Sequence, residues 1–258
     1  MKTMTHGESE VVDVALITGG ARGIGRSIAV TLAAKGMGVM VADLLDTSEC
    51  IEQIRGGGGK AMGVRADMAD PAAAKEAVSR TVEAFGRLDI LINNAGMHPQ
   101  GRGWPPLREM ELEFWERIVR ANLTSTVVSS RAALPHLTDK LTGRIVNISG
   151  GGPWGPEWLL KYGNVTGRGP YMAAKAGVEI LTRVLWEEEK VRGIVVTCLR
   201  PTIRIALDYE PEEIRARHPG PAILMPHLLW LLSADPAEVG GRVYEFDGER
   251  LSPIPYLS

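Results

Sequence analysis

Along the chain, short runs rich in Val, Ile and Leu alternate with stretches whose apolar residues recur every three or four positions. Residues 11–18, 38–42, 60–66, 88–92, 143–148, 193–199 and 242–247 are of the first kind, the pattern of strands buried on both faces. Ile24, Ile28 and Leu32 form one helical stripe, and Ala74, Val78, Val82 and Phe85 form another, with the spacing of amphipathic helices. A helix is expected over 46–55, stopped by the four glycines 56–59. Asp70-Pro71 reads as a cap followed by a first-turn proline. Longer helices are expected over 111–134, ended by Pro135, over about 170–190, and over 223–232. Strand and helix alternate without a linker or internal repeat, which predicts an α/β fold: a doubly wound parallel sheet of about seven strands with helices on both faces.

Composition narrows what such a fold would do. Among 258 residues the net charge is −2, with both signs interspersed, so there is no electrostatic footprint for a nucleic acid. No apolar run approaches the ~18 residues of a membrane span. Residues 1–10 are polar and read as a flexible tail without a signal-peptide core, leaving 11–258 as a single domain. Cys50 and Cys198 have no redox or metal-ligand spacing, and the five histidines have none either. A soluble cytoplasmic protein without a metal site is the expectation.

Candidate chemistry sits where strands end. The first strand runs into Thr18 and then Gly19, Gly23 and Gly25, before a helix. Strand, glycine turn and helix place bare backbone amides against a phosphate. Asp43 ends the second strand, where a carboxylate can hold ribose hydroxyls and repel a 2′-phosphate. That favours NAD over NADP, although Arg22 inside the glycine turn pulls the other way. The fourth strand runs into Asn93-Asn94-Ala95-Gly96, small and amide residues suited to a cofactor crevice. Asn122 is a poor choice inside a helix and points to a polar task. Tyr171 and Lys175 lie four apart on one helix face. An ammonium there would pull the phenol down from its usual pKa of ~10 and make Tyr171 a general acid/base.

In this order, residues 18–25, Asp67, 93–96, Asn122, the strand 144–149, the Tyr171/Lys175 pair and the last strand 243–248 resemble the short-chain dehydrogenase/reductase family over about residues 11–248. The resemblance implies a Rossmann-type domain and hydride transfer between a nicotinamide and an alcohol or carbonyl carbon. Tyr171 would exchange the proton, Lys175 would assist it and bind the nicotinamide ribose, and Asn122 would hold a water. Cofactor contacts are implied for Gly19, Arg22, Gly23, Ile24, Gly25, Asp43, Asp67, Met68, Asn94, Ala95, Gly96, Tyr171, Lys175 and Pro201. A small-molecule substrate and a homotetramer or homodimer are implied as partners.

Three departures qualify the match. The family's usual serine aligns with Gly150. Ser149 is assigned its catalytic place if the glycines after it reshape the strand end, whereas a regular strand would point Ser149 to the opposite face. The stretch from Gly150 to Tyr171 is longer than usual, and Pro201-Thr202 and Ala206 replace the family's Pro-Gly and threonine. Gly150 and Ala206 leave open a cofactor-binding sensor or scaffold without redox activity, or a dehydratase or epimerase. Trp104, Trp154, Trp158 and Tyr162 are candidates for a pocket wall or a loop core, and His98, Arg102, Arg168 and Arg204 for polar substrate contacts or solvated charges.

Overall fold

The computed structural model describes residues 13–98, 104–137, 143–150 and 166–255. Residues 1–10, Arg102, Trp154, Trp158 and Tyr162 lie outside the described residues. The strands are β1 (Val14–Thr18), β2 (Gly38–Asp43), β3 (Lys60–Arg65), β4 (Ile90–Asn93), β5 (Arg144–Ile148), β6 (Val195–Pro201), β7 (Val243–Phe246) and β8 (Leu251–Pro253). They form one sheet in the order β3-β2-β1-β4-β5-β6-β7-β8. All pairings are parallel except that of β8 on β7. This is the Rossmann-like arrangement, with eight strands instead of about seven. The extra strand has three residues and ends in a proline, so it carries no alternation to read, and proline is tolerated at an edge. The Asp247 carboxylate builds the turn before it by accepting the Glu249 and Arg250 N–H groups.

The helices are α1 (Gly23–Ala34), α2 (Ser48–Gly56), α3 (Pro71–Phe85), α4 (Leu112–Val119), α5 (Ser125–Ala133), α6 (Gly169–Glu189), α7 (Glu212–Arg215), α8 (Met225–Ser233) and α9 (Pro236–Val239). Alternate strand residues feed two cores, as a two-residue period requires. Ala15 and Ile17 of β1 and Val39 and Val41 of β2 meet Ile28, Leu32, Leu228 and Leu231 on one face. Leu16 and Met40 meet Ala74, Val78 and Ala133 on the other. Both faces are covered, which is why these strands read as nearly unbroken apolar runs.

The helix expected over 111–134 is not uniform. Between α4 and α5, residues Arg120–Thr124 form a π-helical turn, and a 3-10 turn at Leu134–His136 ends the segment around Pro135. A π turn is a local widening often found at functional sites, and the sequence marks it only through the odd Asn122. At α3 the pattern and the structure agree in detail. Asp70 accepts the Ala72 and Ala73 N–H groups at 2.8 and 2.9 Å, Pro71 opens the helix, and Gly86 closes it with a left-handed φ of 80°.

The strand order reverses between β1 and β4, so the carboxyl ends of β1, β2, β4, β5 and β6 open onto one crevice, where α/β sheets bind ligands. Asp70→Ala removes both capping bonds of α3 and is expected to cost about 1 kcal/mol. Urea unfolding would show it as a lower midpoint at unchanged slope.

Candidate active site

Two turns meet at the head of the crevice. The Thr18 hydroxyl accepts the Asn94 and Ala95 N–H groups at 3.1 and 3.0 Å. In return the Asn94 amide donates to the Thr18 and Gly19 carbonyls at 3.1 and 2.9 Å. The approach is close enough to exclude side chains. A Cβ on Gly25 would stand 2.1 Å from the Gly19 carbonyl oxygen, and one on Gly19 would stand 2.7 Å from Cα of Ala95. At the end of β2, the two Asp43 oxygens accept the Ala21 and Leu45 N–H groups, each at 2.9 Å. Asp43 therefore faces the crevice with a fixed orientation.

Below these turns lies a cleft of about 890 Å³. It gathers Gly19, Arg22, Gly23, Ile24, Asp43, Asn94, Gly96, Asn122, Ser149, Gly150, Tyr171, Lys175 and Pro201. Four residues expected to touch the cofactor, Gly25, Ala95, Asp67 and Met68, are not among those that line it. Asp67 is held by Arg120 at 2.8 Å, and Met68 is buried in the core beneath α3. Other lining residues carried no assignment: Leu44, Leu45, Met97, Met172 and, apart from Arg204, those of the segment 202–210, which folds over the glycine turn.

On α6, Lys175 is 5 % exposed and donates to the Ile148 carbonyl at 2.9 Å. Its nitrogen stands 5.9 Å from the centre of the half-buried Tyr171 ring. Burial lowers the ammonium pKa to about 8, against the pull of Cys198 and Glu179. Burial likewise pushes the Tyr171 phenol up to about 12, opposed by Arg168. This corrects the expectation that the lysine would bring the phenol down. Spacing along a helix shows proximity, but it does not show that both groups lose their water, and desolvation favours the neutral phenol.

Position 150 faces the phenol, since a Cβ on Gly150 would lie 3.2 Å from the Tyr171 oxygen. Ser149 does not face it. Its N–H donates to the Leu199 carbonyl at 3.0 Å and its hydroxyl donates to Glu179 at 2.7 Å. β5 stays regular to its end, so the one-residue offset turns the serine to the other side. Glu179 also accepts from Arg200 at 3.1 Å, and Arg200 reaches Glu245, a charged network under the cleft floor. Ala206 is buried, with its N–H on the Pro219 carbonyl at 2.9 Å.

Asn122 is fully buried at the π turn. Its amide nitrogen donates to the Met97 and Ile118 carbonyls at 2.8 and 2.9 Å. Its Oδ1 has no hydrogen-bond partner among the described residues, and it points at Gly96, where a Cβ would stand only 2.6 Å away. A buried amide oxygen of this kind is costly unless something donates to it. His98 stands edge-on to Tyr171 at 5.0 Å and Trp104 at 6.1 Å, with Phe114 behind Trp104. Trp104 thus belongs to a wall beside the phenol. Burial, then Arg168 and Arg204, lower the His98 pKa and favour the neutral imidazole.

The donor set fits a dinucleotide. Main-chain amides at the α1 terminus suit a diphosphate, a carboxylate at the end of β2 suits a ribose, and a side-chain-free edge at Gly96 admits a flat ring.

Lys175 carries a stability cost in its charged form. Its folded pKa of about 8 lies below the ordinary 10.5, so the cost is full below about pH 8 and fades as pH rises towards the unfolded value. Lys175→Met is expected to be more stable than the parent by ~1 kcal/mol near neutral pH, after loss of the Ile148 bond. In urea unfolding that gain should shrink across this window, and a gain independent of pH would place its origin elsewhere.

Known proteins resemble this chain in sequence and fold. The family model for short chain dehydrogenases matches residues 13–205. The (2S)-[(R)-hydroxy(phenyl)methyl]succinyl-CoA dehydrogenase subunit BbsD of Thauera aromatica is 36% identical over 191 residues, covering 73% of this chain and 71% of its own. The cyclohexanol dehydrogenase of an Acinetobacter species is 32% identical over 245 residues, covering 91% and 93%. Among solved structures, a short chain dehydrogenase from Burkholderia cenocepacia in complex with NADP superposes with a TM-score of 0.77 at 28% identity, covering 93% and 98%. The protein with this cleft and this sheet belongs to the short-chain dehydrogenase/reductase family.

Proposed function

We propose that the protein is an NAD(H)-dependent oxidoreductase acting on an alcohol/carbonyl pair, with Tyr171 as general acid/base. The observation that carries the reading is the meeting of Tyr171, Lys175 and the glycine turn in one cleft. When bound, the nicotinamide would supply or accept the hydride at the reacting carbon. The chain's residues handle the proton. In the reductive direction Tyr171 donates its phenolic proton to the substrate oxygen, and burial keeps that proton in place at neutral pH. In the oxidative direction the charge of Lys175, five to six Å from the ring, favours the phenolate. Asn122 holds a water that returns the proton to solvent past Lys175. Gly19, Arg22, Gly23, Ile24 and Gly25 would cradle the diphosphate, while Asp43, Asn94, Ala95, Gly96 and Pro201 would line the rest of the cofactor. Asp67 and Met68 would support that wall from behind. Ser149 enters as a brace of the strand end through Glu179 and not as a donor to substrate.

The wall of His98 and Trp104 beside Tyr171 suits a cyclic alcohol or ketone. Relatives named for cyclohexanol and for cis-4-hydroxycyclohexanecarboxylate support that choice. Val127 on α5 and Ile180 and Val184 on α6 are exposed apolar residues on outward helix faces, in keeping with assembly as a homotetramer or homodimer. The second reading is a cofactor-binding protein without redox activity. It is favoured by Gly150, which brings no side chain to the point facing the phenol.

Tyr171→Phe separates the two. Expected is loss of ~10²–10⁴ in turnover of a cyclic alcohol panel, followed by NADH absorbance, with NADH affinity kept. Nucleotide binding without turnover by the parent would favour the second reading. For the cofactor, NADH should bind at least ~10-fold tighter than NADPH because a 2′-phosphate would face the Asp43 carboxylate. Asp43→Ala should narrow that ratio, and tighter NADPH binding by the parent would overturn the choice of NAD.

A further inference from the structure

The N-terminus of α1 already holds an anion that belongs to the chain. One Asp208 oxygen accepts the Gly23 N–H at 3.0 Å, across 185 residues of sequence. The other lies 3.5 Å from the Arg26 guanidinium, which also pairs with Glu49 at 2.7 Å and donates to the Ala21 carbonyl at 2.9 Å. The residues on either side of Asp208 close over the same spot. Leu207 and Tyr209 come within 3.4 and 3.6 Å of where a Gly23 Cβ would be. The Arg22 guanidinium lies over the Tyr209 ring, 3.9 Å from its centre. Glu210 steadies the turn by accepting the Leu207 N–H and the Arg204 guanidinium, each at 2.8 Å.

Two physical facts make this placement consequential. The first amides of a helix have no partner inside the helix, and its positive end attracts an anion. The first turn of α1 has no acidic residue of its own, so the carboxylate that answers these amides comes from the segment after β6. One N–H cannot serve a carboxylate and a phosphate at once, and the two anions repel at contact distance.

We propose that Asp208 is a built-in competitor for the cofactor's diphosphate and sets the affinity of the cleft by having to leave the α1 terminus when the nucleotide binds. The inference rests on the reading of the cleft as a dinucleotide site. Departure of Asp208 would lift Leu207 and Tyr209 from Gly23 and release Arg22, so cofactor binding and the position of residues 203–210 are coupled.

Calorimetric titration of the full chain with NADH, ADP-ribose and adenosine tests this. Asp208 is a partly exposed side chain, and the near-isosteric Asp208→Asn removes its charge while keeping its shape. The variant is expected to bind NADH and ADP-ribose ~10-fold tighter. Asp208→Ala should tighten both at least as much, while adenosine, which has no phosphate, should bind all three proteins alike. Unchanged or weaker NADH binding by the variants would overturn the proposal, because a clasp closing over bound cofactor would lose affinity when removed. Equal tightening of adenosine would overturn it too, since that would mean a generally opened cleft. Failure of the parent and both variants to bind any of the three ligands would instead remove the nucleotide-site reading beneath it.

Discussion

The site depends on one close approach, that of the turn after β1 to the turn after β4. Thr18 and Asn94 cross-bond the two turns, and the glycines at 19 and 25 leave room for backbone to lie against backbone. Without that contact the α1 terminus would not stand over the mouth of the crevice. Asp43 extends the same construction by gripping Ala21. The head of the cleft is thus made of main chain held by short polar side chains, which gives little freedom to the amides that would meet a ligand. Such preorganisation saves ordering cost at binding.

The floor is built on a different principle. Lys175, Glu179 and Arg200 are all nearly or fully buried, and burying charges is tolerated only with good partners. Glu179 takes hydrogen bonds from Ser149 and Arg200, and Lys175 donates to the carbonyl just before Ser149. The ends of β5 and β6 are thereby tied to α6 within one turn of Lys175. Ser149 gives its hydroxyl hydrogen to Glu179 within this network, and Gly150 is left facing Tyr171 with backbone alone.

Much of this was legible in the sequence because it is local. Strand runs, helical stripes, the Asp70 cap and the glycine turn each declare themselves within a few residues, and their alternation points to a parallel α/β sheet. For Ser149 the sequence offered two orientations, and the catalytic place assigned to it took the irregular strand end, whereas β5 is regular and the hydroxyl lies on Glu179. What was not legible depends on distance along the chain or on solvent. β8 is too short to show a period. The π turn appears in sequence only as an asparagine in an awkward place. The contact of Asp208 with Gly23 joins residues 185 apart, and nothing in the residues around it announces a partner. The direction of the Tyr171 shift was misread because the identity of a neighbour is written in the sequence and the loss of water around both groups is not.

That shift bears on how the proposed chemistry would run. Burial acts on Tyr171 and Lys175 in opposite senses, raising one pKa to about 12 and lowering the other to about 8. Each group is pushed towards its neutral form, and near neutral pH the pair rests as phenol beside ammonium. This is the state that gives a proton to an alkoxide without further adjustment. Taking a proton from an alcohol needs the phenolate, and desolvation works against it. A second positive charge in the cleft would favour it, and on the proposed function the oxidised nicotinamide carries one. Readiness to act as a base would then depend on which redox form of cofactor is bound.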